Sequence, residues 1–362
     1  MRVPHSAMRS LAVVALIGLM TGCGGNDSTA PDAPFDPSGT TSDIDAIGAS
    51  YESDAMYGFQ SAMPAISTTL GESSAAVALR AAPSKIMAQG KSGAREYAAS
   101  LARLYTPSTA GMRPVGSRAA ILPEHLGKTF VRNDQTLEYE VSDRTGAPAN
   151  GVRFIVYAVN PISGAPITPL QEVGYADVAV TQTATSASVR IELVSGNVTY
   201  LDYTVGATAS QTTATVNVSG FVSNGEDRVN FDLDLHMNAD SNVFTFDYTL
   251  SVPTRGNFRM DLEEEWNAST SAVSSSLELR GPHGTVTVVG NWADNAGTYN
   301  VEVNGDPFAT ITVTQGSDPV ITGADGQPLS QDELAALQDI YQVFLGGFDF
   351  FEDLLDPITS VA

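Results

Sequence analysis

The sequence predicts a mainly β protein: a large antiparallel meander that curls into a barrel or half-barrel, with N-terminal helices and a C-terminal helix. Two segments, 229–237 and 244–252, alternate strictly between apolar and polar residues, which is typical of strands with one buried face. Asn-Gly pairs at 224–225 and 304–305 lie between alternating segments and favour tight hairpin turns. About a dozen strands are predicted between residues 127 and 314, many near ten residues long. Long strands in neighbour order favour a strongly twisted sheet that curls.

Residues 43–110 are predicted to form a helical N-terminal segment. Four apolar residues recur at helical spacing: Met56, Phe59, Met63 and Ile66. Pro64 lies in their midst and predicts a break or kink. A second apolar stripe over 94–105 predicts another helix.

Residues 111–316 form the predicted β domain. Within it, the segment 154–159 is apolar on both faces, so we expect both faces of that strand to be covered. Gly196-Asn197 and the segment 281–284 carry further turn signals between strands.

A C-terminal helical cap over 317–362 is predicted to pack on the β domain. Ser330 and Glu333 have the spacing of a capping box. The two hydrophobic staple positions beside it are Leu329 and Leu334. The predicted helix has one apolar face, formed by Leu334, Leu337, Tyr341 and Phe344. It is predicted to end at Gly346-Gly347. The aromatic residues of 348–355 are expected to cover the concave face of the sheet, since their exposure would favour aggregation.

The start of the chain has the features of an export signal. Arg2 and Arg9 flank the beginning of an apolar run at 11–20, which is shorter than the roughly 20 residues of a membrane-spanning helix. The run ends in Met20-Thr21-Gly22-Cys23, which resembles the lipobox of bacterial lipoproteins.

This resemblance implies a signal peptide at 1–22, cleavage before Cys23, and a diacylglycerol group on Cys23 that anchors the protein to a membrane. Gly24 follows the cysteine, which in such proteins implies the outer membrane of the bacterial cell envelope. The composition of 23–42, rich in Pro, Gly, Ser and Asp, predicts a flexible tether. The alternative is an ordinary secretory signal with a chance cysteine; it is disfavoured because Cys23 is the only cysteine and lies at the cleavage point.

Composition excludes several classes of function. The chain has 18 Lys+Arg against 41 Asp+Glu, a formal net charge of −23, so its surface repels phosphate backbones and nucleic acid is not an expected partner. An acylated Cys23 leaves no thiolate for a metal or a nucleophile. Three histidines remain beyond the signal peptide, widely separated: His125, His236 and His283. With no recognisable catalytic or cofactor motif, we expect neither an enzyme nor a cofactor.

The apolar face of the alternating strands is the candidate ligand site. Its predicted lining comprises Phe231, Leu233, Phe244, Phe246, Phe258 and Met260. If helices leave this concave surface uncovered, it can hold an apolar small molecule such as an acyl chain. The alternative is that these residues are ordinary hydrophobic core.

The polar face carries an acidic cluster. Its members are Asp232, Asp234, His236 and Asp247, extended by Asp261 and Glu263. Paired carboxylates at this spacing fit a hydrolase, whereas charges on a sheet face more often serve solubility. Calcium is a further candidate at 238–242 or at Asp318 and Asp325, although no metal site is expected. The segment 263–266 is interpreted as a solvated strand edge.

Three functional hypotheses remain open. The first is a non-enzymatic envelope lipoprotein that binds an apolar ligand or another envelope protein. The second is a structural or adhesive surface module, suggested by the tether and by Ser/Thr-rich strands such as 207–219. The third is a hydrolase that uses the Asp232, Asp234 and His236 face.

Overall fold

One fifteen-stranded sheet dominates the computed structural model, which describes residues 37–50, 52–70, 121–183, 186–210, 212–238, 240–267, 269–270, 272–293, 296–314, 319–331, 333–335 and 337. The strands are β1 (Lys128–Arg132), β2 (Tyr139–Ser142), β3 (Gly151–Tyr157), β4 (Glu172–Gln182), β5 (Ser186–Ser195), β6 (Val198–Ala209), β7 (Thr213–Ser223), β8 (Arg228–Asn238), β9 (Val243–Val252), β10 (Phe258–Asn267), β11 (Ala272–Gly281), β12 (Gly284–Ala293), β13 (Ala296–Val303), β14 (Asp306–Thr314) and β15 (Val320–Gly323).

The sheet is an antiparallel meander across most of its width. From β3 to β15 each strand pairs with its neighbour in the chain, and all of these pairs are antiparallel. The exception is β1, which lies between β3 and β2 and runs parallel to β3. Among the described residues the edge strands β2 and β15 do not pair, so the sheet is open, as a half-barrel rather than a closed barrel. The predicted fold class is confirmed.

The two ends of the sheet are called the near end and the far end, and each is defined by the turns that it holds. The near end holds the β5–β6, β7–β8, β9–β10, β11–β12 and β13–β14 turns. Asn304-Gly305 is the predicted two-residue turn, with φ values of 52° and 86° that favour this residue pair. The 224–225 pair lies in a turn too, but the loop has four residues, since the Asn224 side-chain oxygen accepts the backbone N–H groups of Glu226 and Asp227.

Three irregularities in strand pairing also lie towards the near end. They occur at Val156/Tyr157, Leu193/Val194 and Val301/Glu302. Bulges bend a strand and increase its twist, so these positions add curl to the near end of the half-barrel.

Helix α1 (Pro37–Ala49) lies at the near end. The Asn224 side chain donates a hydrogen bond to the Ala49 carbonyl oxygen at 3.4 Å, and His283 Nε2 lies 3.6 Å from Asp43 Oδ2. The helix therefore spans from the β11–β12 turn to the β7–β8 turn. It begins inside 23–42, the segment predicted to be tether, because Pro37 suits the first turn of a helix and Thr40 is buried against the domain. The tether prediction is wrong from residue 37 onward.

Helix α2 (Asp54–Leu70) packs on β3, β4 and β5. Its buried face contains the predicted stripe: Ala55, Met56, Phe59, Ala62, Met63 and Ile66. The helix continues through Pro64, so the predicted break does not occur. Pro64 has no backbone N–H to donate to the Gln60 carbonyl oxygen. Both residues are exposed, so this carbonyl can accept a hydrogen bond from water instead. All of β3 except half-buried Arg153 is buried, which confirms the expected burial of both faces.

The C-terminal region departs from prediction at its start. β15 lies within 317–362, where only helix was expected. The capping box is confirmed: the Ser330 N–H donates to Glu333 Oε2 at 2.7 Å, and the Glu333 N–H donates to Ser330 Oγ at 3.3 Å. The helix α3 that follows is described at 331, 333–335 and 337, with Leu337 buried in the core. The predictions for 1–36, 94–105 and 338–362 lie outside the described residues.

None of the described helices combines the length and the apolar character needed to cross a membrane.

Gly58 allows α2 to pack closely on β3, and its replacement tests that contact. A Cβ at Gly58 would lie 2.5 Å from Val156 Cγ1 and 2.6 Å from the Tyr157 carbonyl oxygen. We expect Gly58→Ala to lower the free energy of unfolding by about 1–3 kcal/mol, because a backbone oxygen cannot move aside easily. Urea denaturation measures the change.

Gly48→Ala is the matched control, because Gly48 lies in α1, is exposed and has open space around it. Alanine is the better helix former, so this variant should be neutral or more stable by up to about 1 kcal/mol. A stabilising Gly58→Ala would contradict the close packing of α2 on β3.

Candidate functional site

The six predicted lining residues share the apolar face of the sheet. Their strand positions alternate with polar residues in β8, β9 and β10, as the sequence pattern required. Four are 1–3% exposed and belong to the hydrophobic core: Phe231, Leu233, Phe258 and Met260. The other two, Phe244 and Phe246, are half-buried and lie nearer the far end.

Burial on this face falls from the near end to the far end in β9 to β13. In β10, Phe258, Met260 and Leu262 are buried, whereas Glu264 and Trp266 are half-buried. The neighbouring strands follow the same trend, with buried near-end residues Leu250, Leu279, Val286 and Val303, and half-buried far-end residues Phe244, Val273, Trp292 and Tyr299. The core therefore occupies the near half of this part of the sheet, and the far half is partly open to solvent.

Aromatic side chains concentrate in that open half, and we call them the aromatic patch: Phe244, Phe246, Trp266, Trp292 and Tyr299. The Phe244 and Trp266 rings pack with their centroids 5.2 Å apart across β9 and β10. On β12 and β13, the rings of Tyr299 and Trp292 lie over Gly290 and Gly297. A Cβ at Gly297 would come within 2.5 Å of Trp292 Cε3, and one at Gly290 would overlap Tyr299 Cδ1. These two glycines leave the space that the aromatic rings fill.

Small residues separate the two aromatic groups. Strand β11 contributes Val273 and Ser275 to the face, opposite Trp266 and Glu264 respectively. Adjacent strands lie about 4.8 Å apart, so the β10 and β12 side chains stand about 10 Å apart across this strand. The result is a trough with aromatic walls and a floor of smaller side chains.

Glu264 lies in this trough, which corrects the sequence interpretation of 263–266 as a solvated edge. β10 is an interior strand paired with β9 and β11 over its whole length. Glu263 and Glu265 project to the polar face, whereas Glu264 and Trp266 project to the apolar face. Counting the alternation onward from Phe258 would have placed both residues there. The three consecutive glutamates of 263–265 made this alternation between the two sheet faces hard to recognise in the sequence.

Glu264 is electrostatically coupled to the patch. Partial burial raises the pKa of Tyr299, and the negative charge of Glu264 raises it further. The two residues lie in one cross-strand row, which runs from Phe246 through Glu264, Ser275 and Gly290 to Tyr299.

The acidic cluster occupies the opposite, polar face. Asp232, Asp234, His236 and Asp247 are all exposed. Asn217 Nδ2 donates to Asp232 Oδ1 at 3.1 Å and to Asp234 Oδ1 at 2.9 Å, so neutral polar groups stabilise these carboxylates. A catalytic acid usually depends on an apolar, buried environment, and this exposure favours a solvated face.

Two carboxyl groups of this cluster have shifted pKa values of opposite sign. Asp247 faces Asp234 across β8 and β9, and partial burial followed by the Asp234 charge raises the pKa of Asp247. Burial pushes the pKa of Asp261 upward as well, but hydrogen bonds from Arg259 and Thr249 outweigh it and hold that pKa below its usual value. The Arg259 Nε–Asp261 Oδ2 distance is 2.6 Å, and Thr249 Oγ1 lies 2.7 Å from Asp261 Oδ1.

A second charged group connects α1 with the near-end turns. Asp43 is 5% exposed, and burial raises its pKa, although the charges of His283 and Arg255 oppose the shift. Arg255 binds Asp227 at 2.8 Å and lowers the pKa of that carboxyl with help from Thr254. These contacts position α1 over the near end.

The calcium candidates do not form a metal site in the described part of the chain. No group of three or more His, Cys, Asp or Glu residues there has the geometry to hold a metal ion. In 238–242, the Asn238 side-chain oxygen accepts the N–H groups of Asp240 and Ser241, which shapes the β8–β9 turn. Asp325 Oδ1 likewise accepts the Gln327 N–H, and Asp318 lies outside the described residues. The three histidines lie apart: His236 on the polar face, His283 at the near end, and His125 in a 3₁₀ turn (Pro123–His125).

The shifted carboxyl groups predict opposite stability changes. Asp247 has a raised pKa, so its ionised form costs stability at neutral pH. Because solvent screens this exposed carboxylate, we expect Asp247→Asn to stabilise the protein there by at most about 0.5 kcal/mol. Asp261 has a lowered pKa, so its ionised form contributes stability, and Asp261→Asn should lower stability at neutral pH by up to about 1 kcal/mol.

Urea denaturation at neutral pH and below the usual range of aspartate pKa values measures both effects. The difference between Asp247→Asn and the parent should fade as the pH falls below the usual Asp range. The Asp261→Asn difference should fade as the pH falls through the lowered pKa. Shifts of the same sign at neutral pH would contradict the assignment.

Comparison with known protein families, curated proteins and solved structures finds no match to this chain. The function is therefore argued from the chemistry of its two sheet faces, since fold alone does not determine function.

Proposed function

We propose that this protein is a lipid-anchored, non-enzymatic lipoprotein of the bacterial cell envelope, placed at the outer membrane, that binds an apolar ligand on the concave face of its half-barrel. The observation that carries the binding proposal is the decline in burial along that face. A contiguous, half-buried apolar surface is informative because such patches often mark binding sites.

The composition of the open half supports a ligand site rather than unused core surface. Its exposed apolar area is contributed mainly by Trp, Tyr and Phe, which supply large contact area with little conformational entropy to lose. Exposed apolar surfaces of this kind mark binding sites on soluble domains. The polar face, by contrast, presents isolated exposed apolar residues such as Val289.

The anchor part of the proposal rests on the lipobox at Met20-Thr21-Gly22-Cys23. A lipid-anchored protein is held at the membrane surface, where acyl chains and other apolar envelope molecules are concentrated. The lipid anchor and the apolar face therefore support the same role, which is to bind or transport such a molecule.

A structural or adhesive module is the second candidate. Hydroxyl side chains line neighbouring strands on the polar face, and Thr208 Oγ1 donates to Thr215 Oγ1 at 3.2 Å between β6 and β7. Such a surface fits a polar partner, whereas it offers no explanation for the aromatic patch.

The anchor is tested by labelling cells with a radioactive fatty acid. We expect the protein to take up label and to fractionate with the outer membrane, and Cys23→Ser to abolish the label. Thr21→Ser, which keeps a small residue in the lipobox, is the control that should retain it. An unlabelled parent protein would overturn the anchor without affecting the ligand proposal.

Ligand binding is tested through intrinsic fluorescence, because both tryptophans of the chain, Trp266 and Trp292, lie in the aromatic patch. We expect a bromine-tagged long-chain alcohol to quench the emission of the unacylated mature chain (23–362) in a saturable manner. Phe246→Ala should weaken binding by about three- to tenfold, since it removes a half-buried apolar side chain from the wall of the trough.

Val289→Ala is the control, because Val289 is 44% exposed on the opposite face of β12. It should leave the dissociation constant unchanged. The binding proposal fails if quenching is not saturable, or if Val289→Ala weakens binding as much as Phe246→Ala.

A further inference from the structure

We infer that the trough selects a cationic amphiphile, an alkyl chain that carries an ammonium group, and that Glu264 and the surrounding aromatic rings bind the ammonium. This inference rests on the proposed ligand site and names the chemical class of its ligand.

The position of Glu264 is the first support. It is a half-buried acidic residue on the apolar face of β10, with Phe246 opposite it on β9 and Ser275 opposite it on β11. Ser275 is small, whereas the Tyr299 ring lies over Gly290, so the low point of this row next to Glu264 is Ser275. A carboxylate at this point is complementary to a positive group bound in the trough.

The aromatic walls are the second support. The face of an aromatic ring attracts cations, with Trp the strongest, and rings arranged around a carboxylate are well suited to bind an ammonium group that carries alkyl substituents. Phe246 and Trp266 stand on one side of the trough, and Tyr299 and Trp292 stand on the other. Burial, followed by the negative charge of Glu264, raises the pKa of Tyr299.

The alkyl part of the ligand fits the adjacent row towards the far end. Val273 forms its floor between Trp266 and Trp292, and Phe244 extends it on β9. These side chains are apolar and half-buried, so covering them with an alkyl chain removes apolar area from water. An anionic amphiphile of equal length would gain the same contacts but would be repelled by Glu264.

The experiment compares three ligands of equal chain length: dodecyltrimethylammonium, dodecanol and dodecanoate. Each is titrated below its micellar concentration into the unacylated mature chain, with tryptophan fluorescence as the readout. We expect the ammonium compound to bind about tenfold more tightly than dodecanol, which corresponds to about 1.4 kcal/mol, and dodecanoate to bind more weakly than dodecanol.

Glu264→Gln should abolish the preference for the ammonium compound while leaving dodecanol binding unchanged, since it keeps the size of the side chain and removes its charge. Glu263→Gln is the matched control: it removes the same charge from the adjacent residue, which projects to the polar face. This control should retain the tenfold preference. Near-ultraviolet circular dichroism of both variants verifies that the aromatic packing is intact.

The possible outcomes separate the two proposals. If dodecanol and dodecyltrimethylammonium bind equally to the parent protein, the ligand site stands and the cationic selectivity is overturned. If Glu264→Gln keeps the tenfold preference, the selectivity arises from the overall negative charge of the chain, and the inference is overturned. If Glu263→Gln loses the preference as fully as Glu264→Gln, the effect is not specific to the carboxylate in the trough, which also overturns the inference. If none of the three ligands binds, the proposed function itself fails.

Discussion

The register of the antiparallel strands is the constraint on which the rest of the structure depends. Each strand from β5 to β14 places alternate residues on one face, so a slip of one residue would move its apolar set into solvent. One row shows the result: Leu233, Tyr248, Leu262 and Leu277 lie opposite one another on four successive strands, each at most 2% exposed. Short near-end turns such as Asn304-Gly305 maintain that register. The same register assigns every charge to a face, including Glu264.

Among the described residues the helices cover the sheet unequally, and burial on the apolar face separates core from candidate site. Helix α2 packs on β3 to β5, and α1 lies across the turns of the near end. Between Gly39 and Ala49 an α-helix rises about 15 Å. The two turns that it contacts are four strands apart, or about 19 Å along a flat sheet. The Asn224 and His283 side chains span the remaining distance, so α1 contacts both turns.

The sequence predicted the features that depend on local pattern. The alternation of β8 and β9, the apolar stripe of α2 and the Ser330–Glu333 box are each specified by a few neighbouring residues, and the structure reproduces them. Two features that depend on distant contacts were not predicted. Residues 43–49 of α1 lie in the predicted helical segment, but its start at Pro37 and its place at the near end depend on residues far away in the chain. The parallel pairing of β1 with β3 skips a strand. The site was predicted in part, since Phe244 and Phe246 were identified. Trp266 was missed although the alternation from Phe258 places it on this face, whereas Trp292 and Tyr299 required the register of strands that sequence alone did not align.

Glu264 is the residue whose position local physical chemistry explains least well. A glutamate has low strand propensity, and placing its charge among aromatic rings on a partly buried face costs hydration. Glu263 and Glu265 flank it and add repulsion, yet both project to the polar face, where water screens them. An apolar residue at 264 would complete the pattern of Phe258, Met260 and Leu262 and would remove that cost. Positions that break an otherwise consistent pattern are where function is expected to override stability. Here the departure places one carboxylate on the face that carries the aromatic patch, which is the position that the proposed ammonium ligand requires.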